Sequence, residues 1–320
     1  MRANAMCMAC MVEKQEKLIR PFGDEDRKSE YMHKVLEILC KHGRTESSPW
    51  LAEQIDRLYE NFWETSADYT SVKKKYNQLL LDRESEIGRH IRESQEPLKE
   101  CIKYVCAANY IDFSAVENVN RQTFGTLLEK AGSEQVPDGE YQEFTKDLEH
   151  ARTLAYLVDN CGEIVLDKVF MKCLKETYPH LRITAIVRGK DVLNDATMDD
   201  AQETGLTELV TCMGNGSGAP GTVLKNLSQE ARRTIMEADV VISKGQGNFE
   251  SLFGEGLNPY YLFLCKCELF VRRFGLKQYQ SVFSKEERVK NIARRGAVTF
   301  TACEGADYNV PQAVTGEMKM

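Results

Sequence analysis

Leu154-Ala155-Tyr156-Leu157-Val158 runs without a break into Asp159-Asn160-Cys161-Gly162-Glu163, a junction of apolar run and polar cluster. A short apolar run closed by polar and turn-forming residues is the pattern of a strand buried on both faces. The same junction recurs along the C-terminal half. Ile183–Val187 leads to Asn194-Asp195-Ala196-Thr197, and Leu209–Cys212 precedes Gly214-Asn215-Gly216-Ser217-Gly218-Ala219-Pro220-Gly221. Val240–Ser243 stops at Lys244-Gly245-Gln246-Gly247-Asn248, and Tyr261–Cys265 ends at Lys266-Cys267-Glu268. Helical stretches at 164–177 and 227–237 alternate with these runs, which predicts an α/β/α sandwich built on a mostly parallel sheet. Ala297–Phe300 is expected to add a last strand. In such a sheet all five polar clusters share one edge, the edge where α/β folds keep their sites.

N-terminal to this region the period changes. Met32, Val35, Leu36, Leu39 and Cys40 recur at three- and four-residue intervals, giving one apolar helix face. Ser48-Pro49 signals the start of a second helix, lined by Leu51, Ile55, Leu58 and Phe62. Val72, Tyr76, Leu79 and Leu80 open a third, extending to Ile87 and Ile91. Pro97 opens a fourth, with Leu98, Ile102, Val105 and Cys106 on one face. Residues 114–150 are polar and mixed, with a turn at Val136-Pro137-Asp138-Gly139, and read as a connection. The expected organisation is an all-helical domain with its connecting segment over 1–148 and an α/β metal-binding domain over 149–320.

Bulk properties narrow the function classes. The chain has 320 residues, is 42% hydrophobic and 28% charged, and carries a formal net charge of −7. That balance is globular and argues against a nucleic-acid surface, which wants a basic patch. No apolar run approaches the roughly 20 residues that cross a bilayer, and the first residues lack the apolar core of a signal peptide. The expected location is cytoplasmic, with no membrane or nucleic-acid partner. The 11 cysteines are odd in number, and Cys40, Cys101, Cys106, Cys173, Cys212 and Cys265 lie inside apolar runs. They read as reduced thiols serving as small core residues. Cys7-Met8-Ala9-Cys10 is the one pair at metal-ligand spacing, and no second pair completes a zinc site.

The strand-end clusters carry the chemistry. Asp159-Asn160 comes directly after a buried strand, and a charge there is costly unless a cation or donors compensate it. Both side chains offer the oxygen ligands a hard divalent cation takes; the plainer reading is a cap for the helix at 164. Asp195 lies past the next strand, and successive strands of a βαβ unit are usually neighbours, so Asp159, Asn160 and Asp195 can form a triad. Asp195 is also placed to cap a helix near Met198 beside Thr197. The glycines of 214–221, Gly218 and Gly221 among them, would let backbone N–H groups approach an anion, or simply make a flexible loop. Lys244 can neutralise a phosphate. Lys266, flanked by Cys265 and Cys267, reads as a buried lysine in need of a partner. Asn109 and Asp112 either end one helix and cap the next element, or enter a polar pocket beside the sheet. Glu163, Glu250 and Glu268 are candidates for acid or supporting roles. None of the five histidines has metal-ligand spacing.

Taken together, Val158–Glu163, Leu193-Asn194-Asp195-Ala196-Thr197, Ala219-Pro220-Gly221-Thr222, Lys244-Gly245-Gln246-Gly247-Asn248-Phe249-Glu250 and Lys266-Cys267-Glu268 resemble the damage-control phosphatase family. This ARMT-like family was long known as a domain of unknown function. Cys7-Met8-Ala9-Cys10 and Ala108-Asn109-Tyr110-Ile111-Asp112-Phe113 resemble its prokaryotic branch, with Ala108 and Ser114 standing where glycines are usual. The resemblance implies metal-dependent hydrolysis of phosphate monoesters, sugar phosphates or damaged phospho-metabolites, with Mn, Mg, Co or Ni as the divalent ion. It carries the metal ligands onto Asp159, Asn160 and Asp195 and the phosphate-contacting lysine onto Lys244, with Lys266 as a second candidate. The expected catalytic set is Asp159, Lys244, Asn109 and Asp112. Substrate contacts are expected from Lys244, Lys266, Gly218, Gly221 and Asn248. Two other classes compete: an S-adenosylmethionine-dependent carboxyl methyltransferase, for which Cys161-Gly162-Glu163 is a poor glycine turn, and a non-catalytic binding protein with a structural metal.

Overall fold

The polar clusters fall where the apolar runs place them, because those runs form five parallel strands of one sheet. A computed structural model describes residues 1–66, 68–109 and 129–291. The strands are β1 (Thr153–Leu157), β2 (Arg182–Val187), β3 (Thr211–Gly214), β4 (Val240–Lys244), β5 (Tyr260–Leu264) and β6 (Ser281–Lys285). Their order is β3-β2-β1-β4-β5-β6, with β1 to β5 parallel and β6 antiparallel to β5. The strands β1, β4 and β5 are the most deeply buried, and they are the continuous apolar runs. The order reverses between β1 and β4, and the C-terminal strand ends at such a reversal are where sheets of this kind place their sites.

Helices α1 (Ala5–Ile19), α2 (Glu25–His42), α3 (Ser48–Trp63), α4 (Thr70–Glu93) and α5 (Pro97–Ala108) precede the sheet. Then come α6 (Asp138–His150), α7 (Glu163–Thr177), α8 (Met198–Glu203), α9 (Leu206–Leu209), α10 (Gln229–Glu237), α11 (Gln246–Leu252) and α12 (Glu268–Phe274). One sheet face, with Tyr156, Ile242 and Leu262, shares a core with Leu80 and Ile87 of α4, Ile102 and Val105 of α5, Phe144 of α6 and Phe170 of α7. The other face, with Leu157, Val241 and Phe263, packs under Ile235 of α10, Phe249 of α11 and Phe270 of α12. Phe249 meets Tyr261, Phe263, Phe270 and Phe274 at ring-centroid distances of 4.6 to 5.5 Å. Its burial, worth roughly 2–3 kcal/mol, anchors α11 and with it the neighbouring Asn248. The first three helices keep a separate core around Tyr31, Val35, Leu39, Leu51 and Ile55. So α4 and α5 are part of the sheet's own layer, which brings helical residues to the strand ends.

Several expectations change. The connection over 114–150 contains α6, whose Phe144 and Leu148 are fully buried. Its dense charge hides a spacing of Tyr141, Phe144 and Leu148 that is helical. The strand β6 is an addition, hidden in the sequence because Ser281–Lys285 is a half-buried edge without a long apolar run. The buried stripe of α2 is Tyr31, Val35 and Leu39, one position round from the expected face; Leu36 is 44% exposed. Cys40 is exposed and Cys212 half-buried, whereas Cys101, Cys106, Cys173 and Cys265 are core, and all cysteines within the described residues are unbridged. Among the described residues no helix is long and apolar enough to cross a membrane. The strand expected at Ala297–Phe300 lies outside the described residues, as does Asp112.

Candidate active site

The loops leaving β1 and β2 are stitched together by their backbones. Ala196 donates its N–H to the Asp159 carbonyl at 2.8 Å, and Cys161 donates to Asn194 at 2.9 Å. Asn160 and Asp195 thereby form an isolated antiparallel bridge. The turn that allows this passes through Leu193, a non-glycine residue at φ +48°, a conformation that costs about 1–2 kcal/mol and persists only where its surroundings impose it. Asp159, Asn160 and Asp195 are brought to one place, as their positions after neighbouring strands implied. Capping of α8 falls instead to Thr197, whose backbone and hydroxyl both donate to Asp200.

A buried arginine links these carboxylates. Arg188, the residue after β2, is 1% exposed. Its Nε donates to Asp195 Oδ2 at 2.5 Å, its Nη1 to Asn248 Oδ1 at 2.9 Å, and its Nη2 reaches Asp159 Oδ1 at 3.5 Å. Asp195 is thus its main charged partner. The second buried cation, Lys244 at the end of β4, donates to Asp167 Oδ1 at 3.1 Å and Glu163 Oε2 at 3.3 Å. Tyr156 donates its hydroxyl to the same Asp167 oxygen at 2.6 Å. Glu163 is a hub: its Oε1 accepts from Asn109 at 2.7 Å and from Asn160 at 2.8 Å. Asn109 therefore does both things open to it, ending α5 as its C-cap and reaching into the polar centre.

The electrostatics are unbalanced. Asp159, Glu163, Asp167 and Asp195 converge on two cations, Arg188 and Lys244. Burial, then the charges of Asp195 and Glu163, push Asp159 up to about 8 against the pull of Arg188 and Lys244. Burial likewise raises Asp195, with Arg188 opposing, and raises Asp167, with Lys244 opposing. Burial alone would lower the Lys244 ammonium, but Asp167 and Glu163 outweigh it and hold it above its ordinary value. With every carboxylate ionised the centre is two charges too negative, the charge a divalent cation supplies. The donors at its mouth are oxygens, as a hard cation requires. Among the described residues no three His, Cys, Asp or Glu side chains form a metal cage by themselves. A candidate set of two carboxylates would take its third oxygen from the Asn160 amide, whose Oδ1 here accepts from Asn194 at 3.0 Å. The residues present fit such an ion.

Other expected contacts are reassigned. Lys266 is exposed, because it lies past the end of β5 in the turn before α12. The glycine segment is packed against backbone and protein side chains. Asn215 Oδ1 accepts from the N–H groups of Gly189 and Ser217 at 2.9 and 2.8 Å, and a Cβ on Gly189 would lie 2.3 Å from Gly216 N. Gly221 donates to the Ala219 carbonyl at 2.7 Å. Gly218 N–H points at Glu53 Oε1, 3.3 Å away on α3. Neither N–H is open to a phosphate in this arrangement. Asn248 is fully buried and spends its amide on Arg188, Thr222, Val158 and Lys244, so it orients Arg188 and the strand ends. Glu250 is raised by burial and accepts from Gln246, and Glu268 is a surface partner of Arg272. Sequence reasoning misses Arg188 and Asp167. Arg188 comes directly after an apolar run, the same signal that flags Asp159, and Asp167 lies one turn after Glu163 on the buried face of α7.

Gly245 has a sharper role. It sits at φ +79°, and a Cβ there would lie 1.9 Å from Asp159 Oδ2. Nothing with a side chain fits without driving the carboxylate out of place. Gly245→Ala is expected to displace the Asp159 carboxylate, weakening any divalent-ion binding there, and to cost several kcal/mol, as strain and overpacking at a buried site do. Denaturant unfolding beside metal titration checks this, and wild-type values in both would refute the close approach.

Known proteins are similar to this chain. The family model for the damage-control phosphatase ARMT1-like domain matches residues 3–282. A damage-control phosphatase of Archaeoglobus fulgidus is 28% identical over 288 residues, spanning 86% of this chain and 96% of the relative. A damage-control phosphatase of Pyrococcus horikoshii is 25% identical over 280 residues, spanning 85% and 94%. The crystal structure of a DUF89 family protein from Pyrococcus horikoshii superposes with a TM-score of 0.74 at 22% identity, covering 89% of this chain and 99% of that one. That likeness speaks to the fold.

Proposed function

The chain belongs to the damage-control phosphatase ARMT1-like family, and from that premise we propose that it hydrolyses small phosphate monoesters, sugar phosphates or damaged phospho-metabolites, with a divalent metal ion held by Asp159, Asn160 and Asp195. The observation that carries this reading is the excess of buried carboxylate at the sheet's reversal point, which two cations leave uncompensated. A bound Mn, Mg, Co or Ni ion would polarise a phosphoryl oxygen and lower the pKa of water. The chain's own residues do the rest. Arg188 fixes the Asp195 carboxylate, and the antiparallel bridge fixes Asp195 against Asn160. Glu163, held by Asn109 and Lys244, fixes Asn160 in turn. Lys244, clamped between Glu163 and Asp167, places a permanent positive charge at the strand end to face developing phosphoryl charge. Asp159 and Lys244 are the residues we assign to catalysis, with Asn109 closing the site from the helical side, exposed Lys266 available to the substrate's outer phosphate oxygens, and Asp112, outside the described residues, kept as a further candidate. The unbridged cysteines fit a cytoplasmic setting.

The test is hydrolysis of an aryl phosphate by metal-stripped protein with Mg, Mn, Co or Ni added back singly. Turnover is expected only with metal and is expected to vanish in Asp195→Ala. Folded, metal-loaded protein with no turnover would leave the metal as structural. Heat on titrating S-adenosylmethionine would favour the transferase.

A further inference from the structure

The helix α4 meets the loops of the polar centre through Lys73, which reaches Asp200 and Thr197 in the Asp195 loop, and through Asn77, which touches both loops. Asn77 is fully buried, and both ends of its amide are used. Its Oδ1 accepts the N–H of Gly162 at 2.7 Å, and its Nδ2 donates to Asp200 Oδ1 at 2.8 Å and to Glu203 Oε2 at 3.2 Å. Gly162 closes the loop that carries Asp159 and Asn160; it sits at φ +72°, and a Cβ there would already press on Tyr76 at 3.3 Å. Asp200 closes the other loop. Its Oδ2 accepts from Thr197 N and Oγ1, two residues beyond Asp195, and pairs with Lys73 at 2.7 Å. One buried amide therefore spans the two loops that supply the candidate ligands, from a helix that belongs to neither.

We propose that Asn77 is a positioning residue for the metal site, setting the separation of the Asp159–Asn160 loop from the Asp195 loop. The inference rests on the metal-dependent reading above. Its logic is that of outer-shell groups, whose hydrogen bonds fix ligand orientation and whose loss costs about 10–100-fold in metal affinity. Side chains that merely fill space do not need a donor and an acceptor matched to two different loops. Losing Asn77 leaves the Gly162 N–H and the Asp200 oxygen unpaired in a buried place, and the loops relax apart.

The experiment is calorimetric titration of Mn²⁺ into the metal-stripped full chain, with turnover measured across metal concentration. Asn77→Ala is expected to bind Mn²⁺ at least about ten-fold more weakly, with turnover at saturating Mn²⁺ close to wild type. That split separates loop positioning from general damage, which would lower the saturated rate as well. Asn77→Asp alone is expected to be worse, since it sets a carboxylate against Asp200 and Glu203. Combined with Asp200→Asn and Glu203→Gln it turns both neighbours into amide donors facing the new carboxylate, restores the contacts of residue 77 with the donor and acceptor exchanged, and should return affinity to within about three-fold of wild type. Unchanged affinity in Asn77→Ala overturns the inference and leaves the metal reading intact. Should Asn77→Ala fail to fold, the combined variant decides: folded protein without recovered affinity overturns it. Wild-type protein that binds no Mn²⁺ overturns the metal reading, and the inference with it.

Discussion

Asp159→Asn is expected to cost roughly 10³-fold or more in phosphate ester hydrolysis, the several kcal/mol that a correctly held metal contributes, while making the metal-free protein less sensitive to high pH. The second effect comes from burial. Asp159 in the fold is pushed from 3.8 to about 8, so between those values the folded state keeps a proton that the unfolded chain releases. Stability of the metal-free protein therefore falls as pH rises from about 4 to about 8, at up to ~1.4 kcal/mol per pH unit for each such proton, and is level above that window. Asp195 and Asp167 are raised in the same sense. A neutral amide at position 159 removes one of these protons and flattens the profile. Denaturant midpoints from pH 5 to 8.5, with and without Mn²⁺, measure it. Metal should restore wild-type stability most at the high end, where the carboxylates ionise to meet it. A wild-type profile that rises with pH in metal-free protein, or turnover retained by the variant, would remove Asp159 from the site.

The same physics decides what can be read from the sequence. Strands β1, β4 and β5 are legible because burial on both faces keeps Leu154–Leu157, Val240–Ile242 and Tyr260–Leu264 free of charged residues, so the run itself is the signal. The edge strand β6 and the charged helix α6 each bury one face, and their signals are diluted by residues facing water. At the site, the convergence of Asp159, Asn160 and Asp195 is legible from placement: Asp159 and Asn160 come directly beyond a buried run, and Asp195 lies in the loop after the neighbouring strand. What compensates their charge is not legible. Arg188 reaches Asn248, 60 residues on, and Glu163 gathers Asn109 from α5 and Lys244 from β4; such pairings exist only once the chain has folded. The glycines of 214–221 show the converse limit. Spacing announces that something approaches the backbone closely, but here the partners are Gly189, Ser251 and Glu53 of the protein itself.

Lys244→Met is expected to lower stability by about 3–5 kcal/mol, the cost of leaving a buried ion pair without one partner. Lys244 is 1% exposed, and Glu163 and Asp167 are fully buried. No solvent can take over its role, and Asp167 Oδ2 already lacks a hydrogen-bond partner. Removing the ammonium leaves Asp167, which burial already holds above the usual carboxylate range, to become neutral only by taking up a proton. The deficit should therefore be small at pH 4 to 5 and grow as pH rises, the direction burial already imposes on Asp167. Adding Glu163→Gln and Asp167→Asn to Lys244→Met replaces the stranded charges with neutral groups of the same shape, and most of the lost stability should return. Hydrolysis should not return, because the positive charge at the end of β4 is still missing. Urea unfolding of the single and triple variants at pH 5 and pH 8, beside aryl phosphate turnover, tests both halves. A loss below about 1 kcal/mol at pH 8 would mean the Lys244 charge is not needed for the fold. Turnover recovered with stability would mean that Lys244 acts only through Glu163 and Asp167, as a brace for Asn160, and that its charge never reaches the phosphate.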